Sequence, residues 1–186
     1  MKKISLIFIA LLSFGVLNAQ EEISGVTPEK MISVEGTELD FNGAGLREKF
    51  FLDLYVGALY LENKSKKAEA IIEADESMAI TIEIVSGLIS SEKMIDAVDE
   101  GFEKSTKGNT AQFKDEIASF KDAFAEEIVK GDKYVIAYIK NKGVVVMKNG
   151  KKLKTIPGYE FKKALFGIWL CPEPADEDLK EGMLGL

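Results

Sequence analysis

An α+β domain built on an antiparallel sheet is the fold class this sequence predicts, and three observations predict it. Ala79 to Val85 alternates cleanly, Ile80, Ile82 and Ile84 on one side against Thr81 and Glu83 on the other, as a half-buried strand must. Phe113, Ile117, Phe120 and Phe124 fall at helical spacing and mark an apolar stripe. Helical segments are bunched between strands instead of alternating with them one by one, which separates α+β from a doubly wound fold.

Taken in order, Met31 to Glu35 and Thr37 to Asn42 read as two short strands about Gly36. Asn42-Gly43-Ala44-Gly45-Leu46-Arg47 reads as a glycine-rich bend leading into a long strand, Phe50 to Leu61. On that strand Phe50, Leu52, Leu54, Val56, Ala58 and Tyr60 form a nearly wholly apolar face, expected to lie under the helices. Phe51, Asp53, Tyr55, Gly57 and Leu59 form a mixed face, expected to line a cleft or a thinner layer. Lys67 to Glu73 makes a short helix. Ser90 or Ser91 caps a helix to about Lys104, with Glu92 in the first turn where the macrodipole favours an acid. Thr110 is expected to cap the next helix. Three strands follow, Lys133 to Lys140, Gly143 to Lys148 and Lys151 to Ile156, and Asn149-Gly150 is the preferred pair for a tight type I′ turn. A helix from Tyr159 to Leu170 ends before Pro172 and Pro174, and Asp176 can cap a last short one.

The N-terminus reads Met1-Lys2-Lys3, an apolar run from Ile4 to Leu17, then Asn18-Ala19-Gln20, the pattern of a cleavable signal peptide. Residues 1–19 are therefore expected to be removed, with a flexible segment at 20–30 and one domain at 31–186 in the periplasm or outside the cell. No later stretch is apolar and long enough to span a bilayer. Cleavage lowers Lys+Arg from 24 to 22 against 31 acidic residues, moving the net charge from −7 to −9. Such a chain repels phosphate backbones, so nucleic acid is not an expected partner. The lysines at 151, 152, 154, 162 and 163 are read as a solvated hairpin edge and helix face.

Cys171 is the sole cysteine, which excludes an internal disulfide and reads as a small buried apolar residue. The chain has no histidine. That excludes Ser-His-Asp chemistry and the usual zinc sites, and neither metal nor cofactor is expected. Asp53, on a strand expected to be buried, needs a partner, and Arg47 is the obvious one in sequence.

Asn42-Gly43-Ala44-Gly45-Leu46-Arg47 followed by Leu59-Tyr60-Leu61-Glu62 resembles the start of the chalcone isomerase fold. Ile156-Pro157-Gly158 leading into Ala164-Leu165-Phe166-Gly167-Ile168-Trp169-Leu170 resembles its bacterial, exported members. The resemblance spans roughly residues 35–184. It implies an open-faced β-sandwich, an antiparallel sheet with helices on one face. The plant enzymes of the family close a chalcone to a flavanone, and an arginine after the Gly-Ala-Gly segment holds the ligand's negative charge. Arg47 falls on that arginine. Other plant members bind fatty acids, gripping the carboxylate with that arginine and a tyrosine, whose place Tyr55 takes. The helical tyrosine and asparagine of the plant enzymes align with Lys93 and Glu100, and their late threonine with Gly167, so flavanone formation is not implied.

The resemblance therefore implies a small amphipathic anion, a fatty acid among the options, bound at Arg47, Tyr55 and Lys93. An isomerase or intramolecular lyase acting on another substrate is the second reading. An envelope-associated structural protein is the third. Each residue also has a plainer role open to it: Arg47 in an ion pair with Asp53 or Glu48, Tyr55 as a core tyrosine, and Lys93 as a solvated lysine at a helix start.

Overall fold

A computed structural model of the chain describes residues 22–186. The expected signal peptide at 1–19 lies outside the described residues. Seven strands form one antiparallel sheet in chain order, each paired with the next: β1 (Met31–Val34), β2 (Thr37–Lys49), β3 (Leu52–Leu61), β4 (Met78–Ile84), β5 (Lys133–Ile139), β6 (Gly143–Lys148) and β7 (Lys151–Ile156). Helix α1 (Ala68–Glu73) links β3 to β4; α2 (Ser91–Ser105) and α3 (Lys114–Lys121) link β4 to β5; α4 (Tyr159–Leu170) and α5 (Glu177–Leu184) follow β7. The helices pack on one face of the curled sheet, as the expected α+β open-faced β-sandwich requires. Residues 22–30 hold a turn closed by mutual hydrogen bonds between Ile23 and Val26, and Glu29 pairs with Lys133 on β5.

Most boundaries follow local chemistry. The Ser90 hydroxyl accepts from the Lys93 N–H and starts α2. Asp176 caps α5 by accepting from the Leu179 N–H at 2.9 Å. Asn149 and Gly150 both take positive φ, as a type I′ turn demands. The segment after Asn109 departs from expectation. It is a 3₁₀ turn (Thr110–Phe113), then α3, then a second 3₁₀ turn (Asp122–Phe124), and Thr110 caps nothing. Ile117, Phe120 and Phe124 still bury together, since a broken helix keeps its stripe wherever the core claims it.

Two further expectations are reversed, for one physical reason. Asn42 to Arg47 is no bend but the interior of β2, with a register irregularity between Phe41 and Gly43. The face of β3 under the helices is the mixed one, carrying Tyr55, Leu59 and Leu61. Ala58 and Tyr60 face the opposite side with Ile32, Leu39, Ala137 and Val145. Hydrophobicity cannot choose between two faces that are both buried, whereas glycine in a strand marks close backbone approach. Gly43 pairs in register with Leu59, and Gly45 with Gly57. Together these glycines make a bare floor on which α5 lies backbone to backbone. A Cβ at Gly43 would stand 2.3 Å from the Gly182 carbonyl oxygen, and one at Gly45 3.0 Å from Leu179 Cα. The Asn42 side chain fastens the far end of α5, donating to the Met183 carbonyl at 2.9 Å.

Lys162 is also a correction, because it is fully buried and not part of a solvated face. Its ammonium donates to the carbonyls of Ile71 (3.0 Å), Ile72 (2.7 Å) and Ala74 (2.7 Å), closing the C-terminal end of α1. It also stands 5.7 Å from the ring centres of Tyr138 and Tyr159. Burial outweighs the pull of Glu73 and Asp75 and brings its pKa down from 10.5 to about 8. The unfolded chain then binds the proton more tightly than the folded one, so the charge penalty stands in full below pH 8 and fades as pH rises towards 10.5. Urea unfolding of wild type and Lys162→Met across that window should show the wild type gaining up to about 3 kcal/mol on the variant. A difference that stays flat with pH would mean that Lys162 titrates normally.

Candidate binding cleft between the sheet and helix α2

Helix α5 runs along β2 with its N-terminus over Arg47, and this placement builds the polar end of the site. Asp176 serves two elements at once. One carboxylate oxygen caps α5, and the other accepts from Arg47 Nη1 at 2.7 Å. Both side chains are largely buried, 19 % and 14 % exposed for Arg47 and Asp176. Arg47 Nη1 also donates to the Glu48 carbonyl at 3.0 Å. The expected partner, Asp53, is elsewhere: it lies exposed at the start of β3 and accepts from the Ser24 hydroxyl. Asp53 therefore escapes the burial that would have forced a pairing.

The ion pair does not exhaust Arg47. A guanidinium has five N–H donors, and among the described residues its hydrogen bonds leave from Nη1 alone. The donors on Nε and Nη2 remain for another acceptor. Directly across the strand pair, in register with Arg47, stands Tyr55. Its hydroxyl accepts from Trp169 Nε1 on α4 at 3.1 Å. Burial raises the Tyr55 pKa further than the Trp169 bond and the Arg47 charge lower it, so the phenol keeps its proton at neutral pH. That proton finds no acceptor among the described residues, which leaves Tyr55 a donor.

Beyond these two groups opens a cavity of about 440 Å³, within the range of small-molecule sites. Its walls are mostly apolar: Leu54 and Ile82 from the sheet, Ile89, Met94 and Val98 from α2 and the loop before it, and Ile168 from α4. Lys93 lies on the same cavity but is exposed, and it donates to the Leu88 carbonyl at 3.0 Å. The bordering carboxylates Asp96 and Glu100 are exposed too, and the hydrogen bond from Lys104 holds the Glu100 pKa below its usual value. Arg47, Tyr55 and Lys93 thus line one cleft, the first two at its buried end and the third at its rim. Asp176 and Trp169 complete the site and were missed in the sequence. Asp176 announces itself only as a helix cap, and its contact with Arg47 spans 129 positions. Among the described residues no group of histidine, cysteine and carboxylate side chains is placed to hold a metal ion.

A sequence profile described as chalcone isomerase-like matches residues 20–185. Among solved structures, a fatty-acid binding protein of Arabidopsis thaliana is similar to this chain with a TM-score of 0.70 and 18% sequence identity. The alignment covers 89% of this chain and 95% of that one, so the likeness is one of whole fold. No curated protein sequence matches.

Proposed function

This chain belongs to the chalcone isomerase-like family, and on that premise we propose that it binds a small amphipathic anion of the fatty-acid class in the cleft headed by Arg47. The observation that carries the reading is the pairing of unused donors with an apolar cavity. Arg47, whose Nε and Nη2 bond to no acceptor among the described residues, and Tyr55 stand in register on adjacent strands and line one cavity, which is walled mostly by aliphatic side chains. A carboxylate accepts from a guanidinium and a phenol at once, and in a site poor in water such charge-assisted bonds are strong. The methylenes of an acyl chain gain about 0.8 kcal/mol each when buried against such walls.

The pairing with Asp176 lowers the net positive charge at the head of the cleft and still leaves donors directed by a fixed side chain. Carboxylate recognition here rests on hydrogen-bond geometry more than on net charge. The fatty-acid binding activity named for the Arabidopsis structure is consistent with the same class of ligand.

Trp169 provides the test, being the one tryptophan of the chain and bonded to Tyr55. Palmitate titrated into the protein should change its emission saturably at equimolar ligand. A response that is linear and unsaturable would count against a site in this cleft.

A further inference from the structure

The hairpin between β2 and β3 turns through Phe50 and Phe51, since Lys49 pairs with Leu52 on either side of them. Both phenylalanines take positive φ, 53° and 62°, the backbone of a type I′ turn. Such a turn favours Asn-Gly, and a bulky residue there is strained. The rings gain no packing in return: Phe50 is 82% exposed and Phe51 fully so. Leu52 and Leu88, about half exposed, lie with Phe50 on the border of the cavity described above. Among the described residues, the two most exposed large apolar side chains therefore stand beside the mouth of the cleft.

We propose that this hairpin tip is a membrane-docking element, inserting Phe50 and Phe51 at the headgroup–acyl boundary of a lipid bilayer so that an acyl ligand passes between bilayer and cleft without crossing water. The passage of ligand rests on the binding function proposed above; the docking does not. Size argues for a bilayer over a protein partner. Two phenylalanine rings present about 300–500 Å² at most, and a stable protein interface needs about 800 Å² on each side. A narrow two-residue tip, by contrast, is the shape that enters a lipid surface, where aromatic rings partition well. Lys49, whose ammonium lies 5.9 Å from the Phe50 ring centre, and Lys93 at the rim can meet lipid phosphates. Glu48 and Asp53 are exposed beside them and the chain is acidic as a whole, so insertion of the rings and not net charge must drive the contact.

The decisive variant is Phe51→Gly, because Phe51 does not line the cavity and glycine suits its backbone. Co-sedimentation with phosphatidylcholine vesicles should show the wild type bound and the variant bound about tenfold more weakly, in low and high salt alike. Palmitate binding from solution should be unchanged in the variant, while transfer of palmitate from one vesicle population to another slows by a similar factor. Vesicle binding that Phe51→Gly leaves intact overturns the proposal. So does sedimentation equilibrium showing a dimer that the same substitution dissolves, because the tip would then serve a second copy of the chain. If the wild type binds no palmitate and its vesicle binding still depends on Phe51, docking stands and the ligand reading fails. Arg47→Ala separates the two from the other side, and should dock on vesicles like the wild type while binding palmitate about 100-fold more weakly.

Discussion

Arg47→Ala is expected to weaken palmitate binding by about 100-fold, or ~2.8 kcal/mol at about 1.4 kcal/mol per decade. The variant removes the guanidinium from the cavity lining and leaves Tyr55 alone with the carboxylate, and truncating one side of a buried charge-assisted contact costs of this order. Arg47→Lys should fall between the two, because an ammonium cannot hold Asp176 and span to a ligand with a planar fork. Stability should drop much less, by about 1–2 kcal/mol, since Asp176 keeps the Leu179 N–H as a partner when Arg47 is gone. Calorimetric titration beside thermal melting distinguishes the effects. A variant that binds palmitate as tightly as the wild type would leave Arg47 a structural residue paired to Asp176.

The second large effect lies at the glycine floor. Gly43→Ala should destabilise the fold by about 3 kcal/mol or more, beyond what one methyl usually costs, because the atoms it meets are backbone. The new Cβ would stand 2.3 Å from the Gly182 oxygen, 2.7 Å from the Met183 oxygen and 2.9 Å from the Gly185 nitrogen. No rotamer change relieves that contact, so α5 must lift. Gly182→Ala meets the Ala44 oxygen at 2.5 Å from the other side and should cost a similar amount. The double variant should lose less than the sum, since one displacement of α5 relieves both clashes. Lifting α5 also carries Asp176 away from Arg47, so palmitate affinity should change with the fold. Urea denaturation showing under 0.5 kcal/mol for either substitution, roughly the scale of an ordinary surface change, would mean that α5 does not rest on β2 as described.

Those glycines also show where sequence reading succeeds and where it stops. Local signals act through neighbours in the chain, and they were legible: the Ser90 and Asp176 caps, the Asn149-Gly150 turn, and the bounds of β6, β7 and α4. Gly43 and Gly45 were legible as unusual but ambiguous, because glycine serves a bend and a close approach alike, and the helix that needs the approach lies at the other end of the chain. The same distance hid the partner of Arg47. Asp53 is near in sequence and Asp176 is far, yet only the second is brought to Arg47 when α5 runs along β2. Tyr55 could be placed by strand parity. Its bond to Trp169 could not, since that partner lies 114 positions away on α4. Lys162 was misread because nothing on its own helix reveals the three carbonyls at the end of α1.

The phenylalanines at the hairpin tip are a different case. They break the turn's residue preference in plain view, and the sequence read them as part of a strand because aromatic residues favour one. Their exposure beside the mouth of the cleft became visible only with the sheet in place.

In the proposed function the cleft recognises a carboxylate head through Arg47 and Tyr55, with an acyl chain beyond them. The titration followed by Trp169 emission tests it most directly when palmitate is run beside hexadecanol, which carries the same chain with an uncharged head. Both should bind saturably, palmitate at least tenfold more tightly. Equal affinities would contradict the recognition of a carboxylate, and no saturable response to either would contradict the cleft as a lipid site.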